Sequence, residues 1–237
     1  MNRPVPRGPG PRGQVPNRQI PSRDAYFDGW STLHGGFDPR SAFWPRTWLG
    51  LTYRLGRPLA RHNVPPDGVT ALGVVVTALA LLPAAAGGAW PLLAIVVVVV
   101  SGLLDNLDGC VAVLLNRTTR WGYVLDSLAD RVCDALYLLT LWLAGAPAGV
   151  CVGAAGAIVL LEYGRARATG AGFDEIGLVT VGERPTRIVV TCFGLLFAGA
   201  LPHHAAWAAG AGAAATLGVS LVGAGQYLRI ARRNLLA

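Results

Sequence analysis

Five aspartates interrupt two otherwise apolar stretches, SGLLDNLDGCVAVLLNR (101–117) and WGYVLDSLADRVCDALYLL (121–139). Asp105 and Asp108 are three residues apart; Asp126, Asp130 and Asp134 follow at intervals of four. On helices, such spacings put each set on one face. Ionisable groups inside apolar helices are costly and mark function by default. The only turn-like segment between the two sets is Asn116–Arg120. A hairpin turning near Arg117 brings Asp105/Asp108 and Asp126/Asp130 to one depth, ~16 Å from the turn at ~1.5 Å per residue. Four carboxylates at one depth repel unless they are protonated or share cations. Oxygen-only ligation favours hard ions such as Mg²⁺ or Mn²⁺, and four carboxylates can hold two of them. The competing explanation is structural pairing with Arg117, Arg120 and Arg131. Pairing predicts alternating signs, whereas five acids here meet one Arg within the helical stretches. The metal explanation is therefore preferred. Gly109 and Gly122 flank the acids, and their missing side chains would let phosphates approach bound metals; close helix contact in a membrane is the plainer explanation.

The elements that must carry these residues are membrane helices. Of 237 residues, 53% are hydrophobic and only 14% charged, with a mean hydropathy of +0.46. Six apolar stretches are expected as spans, at roughly 68–88, 90–116, 120–144, 148–168, 185–201 and 204–230, each about 20 residues long. The breaks PAAAGGAWP, AGAPAGV and AGALPHHAA contain no Arg, while the opposite ends hold ten, from Arg61 to Arg233. The positive-inside rule then predicts six spans with both termini cytoplasmic. His203 and His204 fall in an outer loop, far from the carboxylates.

All 20 basic residues are Arg, and the charge is uneven. Residues 1–64 hold ten Arg and three Asp, a net +7, and the remainder is neutral with ten of each sign. A basic arm suits an anionic membrane surface; nucleic acid is discounted because the body is a membrane domain. Residues 1–23, rich in Pro, Gly and Arg, are expected to be disordered, and 24–45 to lie on the membrane surface. Residues 46–62 are expected to form an amphipathic interfacial helix, with Trp48, Leu49, Leu51, Leu55 and Leu59 opposite Arg46, Arg54, Arg57 and Arg61. The domain boundary falls between an arm over 1–45 and a membrane domain over 46–237. Cys110, Cys133, Cys151 and Cys192 are far apart with no CxxC, and are expected as small buried apolar residues.

Residues 105–130 resemble the signature of the CDP-alcohol phosphatidyltransferase family, D-x2-D-G-x2-A-R-x8-G-x3-D-x3-D. Asp105, Asp108, Gly109, Ala112, Gly122, Asp126 and Asp130 match at the required spacing, and Val113 stands in place of the family Arg. The resemblance covers about residues 46–233 and implies an all-α, six-span fold behind a surface helix, commonly a homodimer. It further implies that a CDP-linked alcohol binds at the cytoplasmic side, with Asp105, Asp108, Asp126 and Asp130 holding two divalent metals on its pyrophosphate. An acceptor hydroxyl attacks the phosphorus next to the lipid alcohol, with Asp130 as general base, and CMP leaves. Pro66 and Thr70 in VPPDGVT resemble the family's P-N-x-x-T, which helps hold the cytidine end. For the missing Arg, two outcomes are open: Arg117 or Arg120 substitutes, or the donor is altered.

GRARATGAG (164–172) and GERPTR (182–187) resemble tracts of bacterial phosphatidylinositol phosphate and phosphatidylglycerolphosphate synthases. There the basic residues receive the acceptor's phosphate, which points to Arg165 and Arg187, and also Arg184. Positive-inside topology explains Arg at these ends without a ligand. Glu162 and Tyr227 depart from the inositol-phosphate pattern and leave the headgroup open. Against an active transferase acting on a polyol phosphate stand a non-catalytic CDP-lipid-binding protein of the same fold and an unrelated divalent-cation transporter.

Overall fold

The structure is a computed structural model that describes residues 20–33, 35–173 and 178–236. Most of the arm expected to be disordered lies outside the described residues. Among them the fold is all helical, in the order α1 (Arg23–Leu33), α2 (Phe43–Arg61), α3 (Pro66–Leu79), α4 (Leu81–Ala86), α5 (Pro91–Leu114), α6 (Arg120–Leu143), α7 (Ala148–Gly170), α8 (Arg184–Ala200) and α9 (Ala205–Leu235). Proline sits in the first turn of α3, α5 and α8, where its fixed φ suits a helix start and its missing N–H is not needed. The side chain of Thr119 caps α6, accepting the Gly122 N–H at 2.9 Å. Asn116 ends the preceding helix at a positive φ of 51°. The hairpin between the two carboxylate helices thus turns over residues 115–119, as the spacing requires.

Pro66–Ala86, Pro91–Leu114, Ala148–Gly170 and Pro202–Leu235 are long and apolar enough to cross a membrane. The chain is therefore an integral membrane protein. Two of the six expected spans do not qualify on length and composition. Helix α6 has 24 residues but carries Asp126, Asp130, Arg131 and Asp134 along its middle; α8 has only 17 residues, about 25 Å of helix against a hydrocarbon core of about 30 Å. Both nonetheless pack inside the bundle. Val98 of α5, Leu141 of α6, Ile158 of α7, Leu195 of α8 and Ala213 of α9 share one core. Large apolar side chains such as Leu72, Val96, Val152 and Phe193 point outward, an exposure that fits lipid rather than water. Helices α8 and α9 meet at glycines: a Cβ on Gly194 would come within 3.2 Å of the Gly212 Cα and 2.9 Å of Leu141 Cδ2.

The segment before the spans is more structured than its composition suggested. Residues 23–33 form a helix, and Tyr26 and Phe27 are buried with Leu49, Tyr53, Cys110, Val111 and Leu114. Turn residues such as Gly29 and Ser31 concealed that periodicity. Helix α2 starts at Phe43, three residues before the expected Arg46. It buries Leu49, Tyr53, Gly56 and Ala60, while Trp48, Leu51 and Leu55 remain exposed. One part of its apolar surface is therefore packed on the protein, and Trp48, Leu51 and Leu55 face outward beside it. Gly56 sets the approach to α5, since a Cβ there would lie 2.8 Å from Cys110 Sγ.

Candidate active site

Asp105 of α5 and Asp126 and Asp130 of α6 converge: one carboxylate oxygen from each lies within 4.8 Å of the others. The fourth signature carboxylate is oriented differently. Asp108, 6% exposed, accepts from Thr70 Oγ1 at 2.5 Å on one oxygen and from the Gly109 N–H at 2.6 Å on the other. Thr70, expected at the cytidine end, therefore also holds a carboxylate of the cluster. Positive charge reaches these acids both from outside the hairpin and from α6 itself. Arg184, at the first position of α8, bonds both Asp105 and Asp130. Arg131 approaches Asp130 at 3.6 Å. An all-oxygen donor set on a site that already draws a guanidinium between two carboxylates fits a hard divalent cation.

A cleft of about 380 Å³ opens on one side of the cluster. Asp105, Asp108 and Asp126 line it; Asp130 does not. All six residues expected on the donor side line it too: Pro66 and Thr70 from α3, Gly109 and Ala112 from α5, Arg117 from the hairpin and Gly122 from α6. A Cβ on Gly109 would meet nothing within 4 Å, whereas one on Gly122 would approach Thr119 Oγ1 at 3.2 Å. The former glycine opens space and the latter serves its helix cap. Val113 lines the cleft and packs against the cluster around Tyr26 and Phe27.

The three arginines expected to receive an acceptor phosphate do not line this cleft. They gather on the α7–α8 side of the carboxylates, in a network rich in acids. Arg187, 1% exposed, donates to Asp134 at 3.0 Å, to the Gly182 carbonyl at 2.6 Å and to Glu162 at 3.3 Å. Arg131 bridges Asp134 at 3.3 Å and Glu162 at 3.0 Å. Arg165 pairs with Glu183, donates to Thr180 Oγ1 at 3.1 Å and lies over the Tyr227 ring at 5.6 Å. Burial pushes the Glu183 carboxyl up, but hydrogen bonds from Arg165 and the Thr180 N–H outweigh it and hold Glu183 below its ordinary value. Sequence reasoning passed over Glu183 and Thr180, although Glu183 stands inside the GERPTR tract. It also gave no role in the cleft to Tyr26, Trp30 and Leu49, which line it.

The family model for CDP-alcohol phosphatidyltransferase matches residues 63–222. The chain belongs to the CDP-alcohol phosphatidyltransferase family. It is 32% identical over 131 residues to the archaetidylinositol phosphate synthase of Aeropyrum pernix, covering 53% of this chain and 65% of that one. It is 30% identical over 179 residues to the phosphatidylinositol phosphate synthase of Mycobacteroides abscessus, covering 68% of this chain and 77% of that one. The chain thus spans about two thirds to three quarters of the length of these curated relatives. The phosphatidylinositol phosphate synthase of Mycobacterium tuberculosis, solved with CDP-DAG bound, superposes with a TM-score of 0.63 at 26% identity, over 76% of this chain and 92% of that one. A second structure of that enzyme, with manganese and citrate, gives the same TM-score of 0.63 at 26% identity, over 76% of this chain and 88% of that one. Family membership places the chain among phosphotransferases of phospholipid biosynthesis.

Proposed function

We propose that this protein transfers a phospho-alcohol group from a CDP-alcohol such as CDP-diacylglycerol to a hydroxyl of a polar acceptor, releasing CMP. One observation carries the reading: the carboxylate cluster stands between two different environments, the donor cleft on one side and the arginine network on the other. Asp105, Asp108 and Asp126 face the cleft, and Asp130 contacts Arg184 outside it. Asp105, Asp108, Asp126 and Asp130 are the residues that would hold the divalent ions, Mg²⁺ or Mn²⁺, in a pair. Bound ions would neutralise the pyrophosphate and stabilise charge on the transferring and leaving oxygens.

The chain's own residues supply the rest. Gly109 leaves room for the phosphates, and Thr70 fixes the Asp108 carboxylate by hydrogen bonding. Pro66, Ala112, Gly122 and Arg117 bound the cleft that receives the CMP portion, with Arg117 as its cation. On the opposite side Asp130 is positioned to accept the acceptor's hydroxyl proton as the new O–P bond forms and the P–O bond to CMP breaks. The archaetidylinositol phosphate and phosphatidylinositol phosphate synthases among the relatives support a polyol phosphate as acceptor, with Arg165, Arg184 and Arg187 on its side of the site. Such an acceptor must compete with Glu162 and Glu183 for these guanidinium groups. The Arg distribution supports six spans, cytoplasmic termini and a cytoplasm-facing site in the cell membrane, and the family resemblance supports a homodimer.

The replacement of the signature Arg by Val113 favours a second reading, a protein that binds CDP-lipid without turning it over. Purified protein, CDP-diacylglycerol, Mg²⁺ and a panel of polyols and polyol phosphates decide between them. Acceptor-dependent CMP release supports the transferase. Donor binding without CMP release under any acceptor leaves the binding protein.

A further inference from the structure

The family match begins at residue 63, yet the donor cleft extends beyond it. Tyr26 and Trp30 of α1 and Leu49 of α2 form part of its wall, beside Ala112 and Val113. Helix α1 is firmly seated there. Tyr26 is 2% exposed and its ring stacks on Tyr53 at 5.8 Å, and Tyr53 Oη donates to the Pro21 carbonyl at 2.9 Å. Arg40 ties the far side of α1 by donating to Asp28 at 2.8 Å and to the Asp24 carbonyl at 2.9 Å. Helix α1 also covers the broken signature position: a Cβ on Gly29 would lie 3.7 Å from Val113 Cγ1. Position 113 thus borders both α1 and the cleft.

We propose that Trp30 is a donor-binding residue, its indole forming the face on which the nucleobase of the CDP-alcohol packs. The inference rests on the donor reading of the cleft. Asp105, Asp108 and Asp126 suit a metal-bound pyrophosphate; Val113 and Arg117, five and nine residues beyond Asp108, share the cleft lining with Trp30. An aromatic face with an apolar neighbour and a single cation matches a flat base on a phosphorylated sugar. Acyl chains are a poor match, because α1 packs on Cys110, Leu114 and Leu115, at the Arg-bearing end of α5 next to the hairpin. Of the two aromatic rings in the wall, Tyr26 is almost fully buried, while Trp30 is only half-buried.

Titration calorimetry of full-length protein in detergent with Mg²⁺, using CDP and inorganic pyrophosphate as probes, tests this. Trp30→Ala is expected to weaken CDP roughly 5- to 150-fold, the range for loss of a base–aromatic contact, and to leave pyrophosphate unchanged. Trp30→Phe is expected to restore most of the CDP affinity. Equal CDP affinity in wild type and Trp30→Ala would overturn the proposal alone. Parallel weakening of both probes overturns it too, because the helix would then be a structural support. Failure of wild-type protein to bind CDP sinks the donor reading and this proposal with it.

Discussion

Within the cluster, Asp130 and Asp108 hold carboxylates of identical chemistry in opposite surroundings. Asp130 faces Arg184 and Arg131, outside the donor cleft. Asp130→Asn keeps the shape and removes the proton acceptor, so acceptor-dependent CMP release should fall by ~10²-fold or more; near-normal release would remove Asp130 from its role. Asp108 instead depends on Thr70, and Thr70→Val leaves a buried carboxylate short of one donor. That substitution should raise the Mg²⁺ concentration needed for half-maximal activity while changing saturated turnover less than Asp108→Asn does. Arg187 is a different case. Its guanidinium is enclosed by Asp134, Glu162 and a carbonyl, so Arg187→Ala strands buried acids and should cost about 3 kcal/mol of stability. A thermal melt in detergent would show the loss before any assay, and an unchanged melt would mean that Arg187 is reserved for ligand. The signature acids were legible in the sequence because carboxylates in apolar helices have few uses. The commitment of Arg187 was not, since its partners Asp134 and Glu162 come from two other helices and no local pattern joins them.

Between elements, the link from the 178–183 loop to α9 governs Arg165. A Cβ on Gly223 would lie 2.7 Å from the Gly182 Cα, so the loop rests directly on the helix. Gly223→Ala must push away the loop that carries Thr180 and Glu183 and should lower acceptor affinity more than donor affinity, read as a larger change in acceptor KM. Glu183 gives the same link a pH signature. Its folded-state carboxyl lies below the ordinary value of 4.5, so the stabilisation is full above that value and is lost as pH falls through the lower folded value. The melting-temperature gap between wild type and Glu183→Gln should therefore be constant from neutral pH down to about 5 and close only in stronger acid; a gap that closes at pH 6–7 would contradict it. Helix periodicity and Arg-free breaks made the helices legible to within a few residues. The break between α3 and α4 at Ala80 has a local cause in Pro83, which cannot bond the Leu79 carbonyl four residues back; the burial of α1 was not legible, because it depends on packing against α2 and α5.

Across the whole molecule, charge and length disagree about the number of spans. Arginines at alternate helix ends favour six, whereas α6 is too charged and α8 too short to qualify. Reporter fusions after residues 117, 175 and 237 should report cytoplasm, and fusions after 88, 146 and 203 the outside; an outside signal at 117 would overturn the six-span topology. The separation of the donor cleft from the arginine network, with the aspartates as a partition, also bears on order of events. Under the proposed function, a donor and an acceptor taken up on opposite sides of that partition would not wait for one another. Steady-state lines should then intersect rather than run parallel, either substrate should bind first, and CMP should compete with the CDP-alcohol but not with the acceptor.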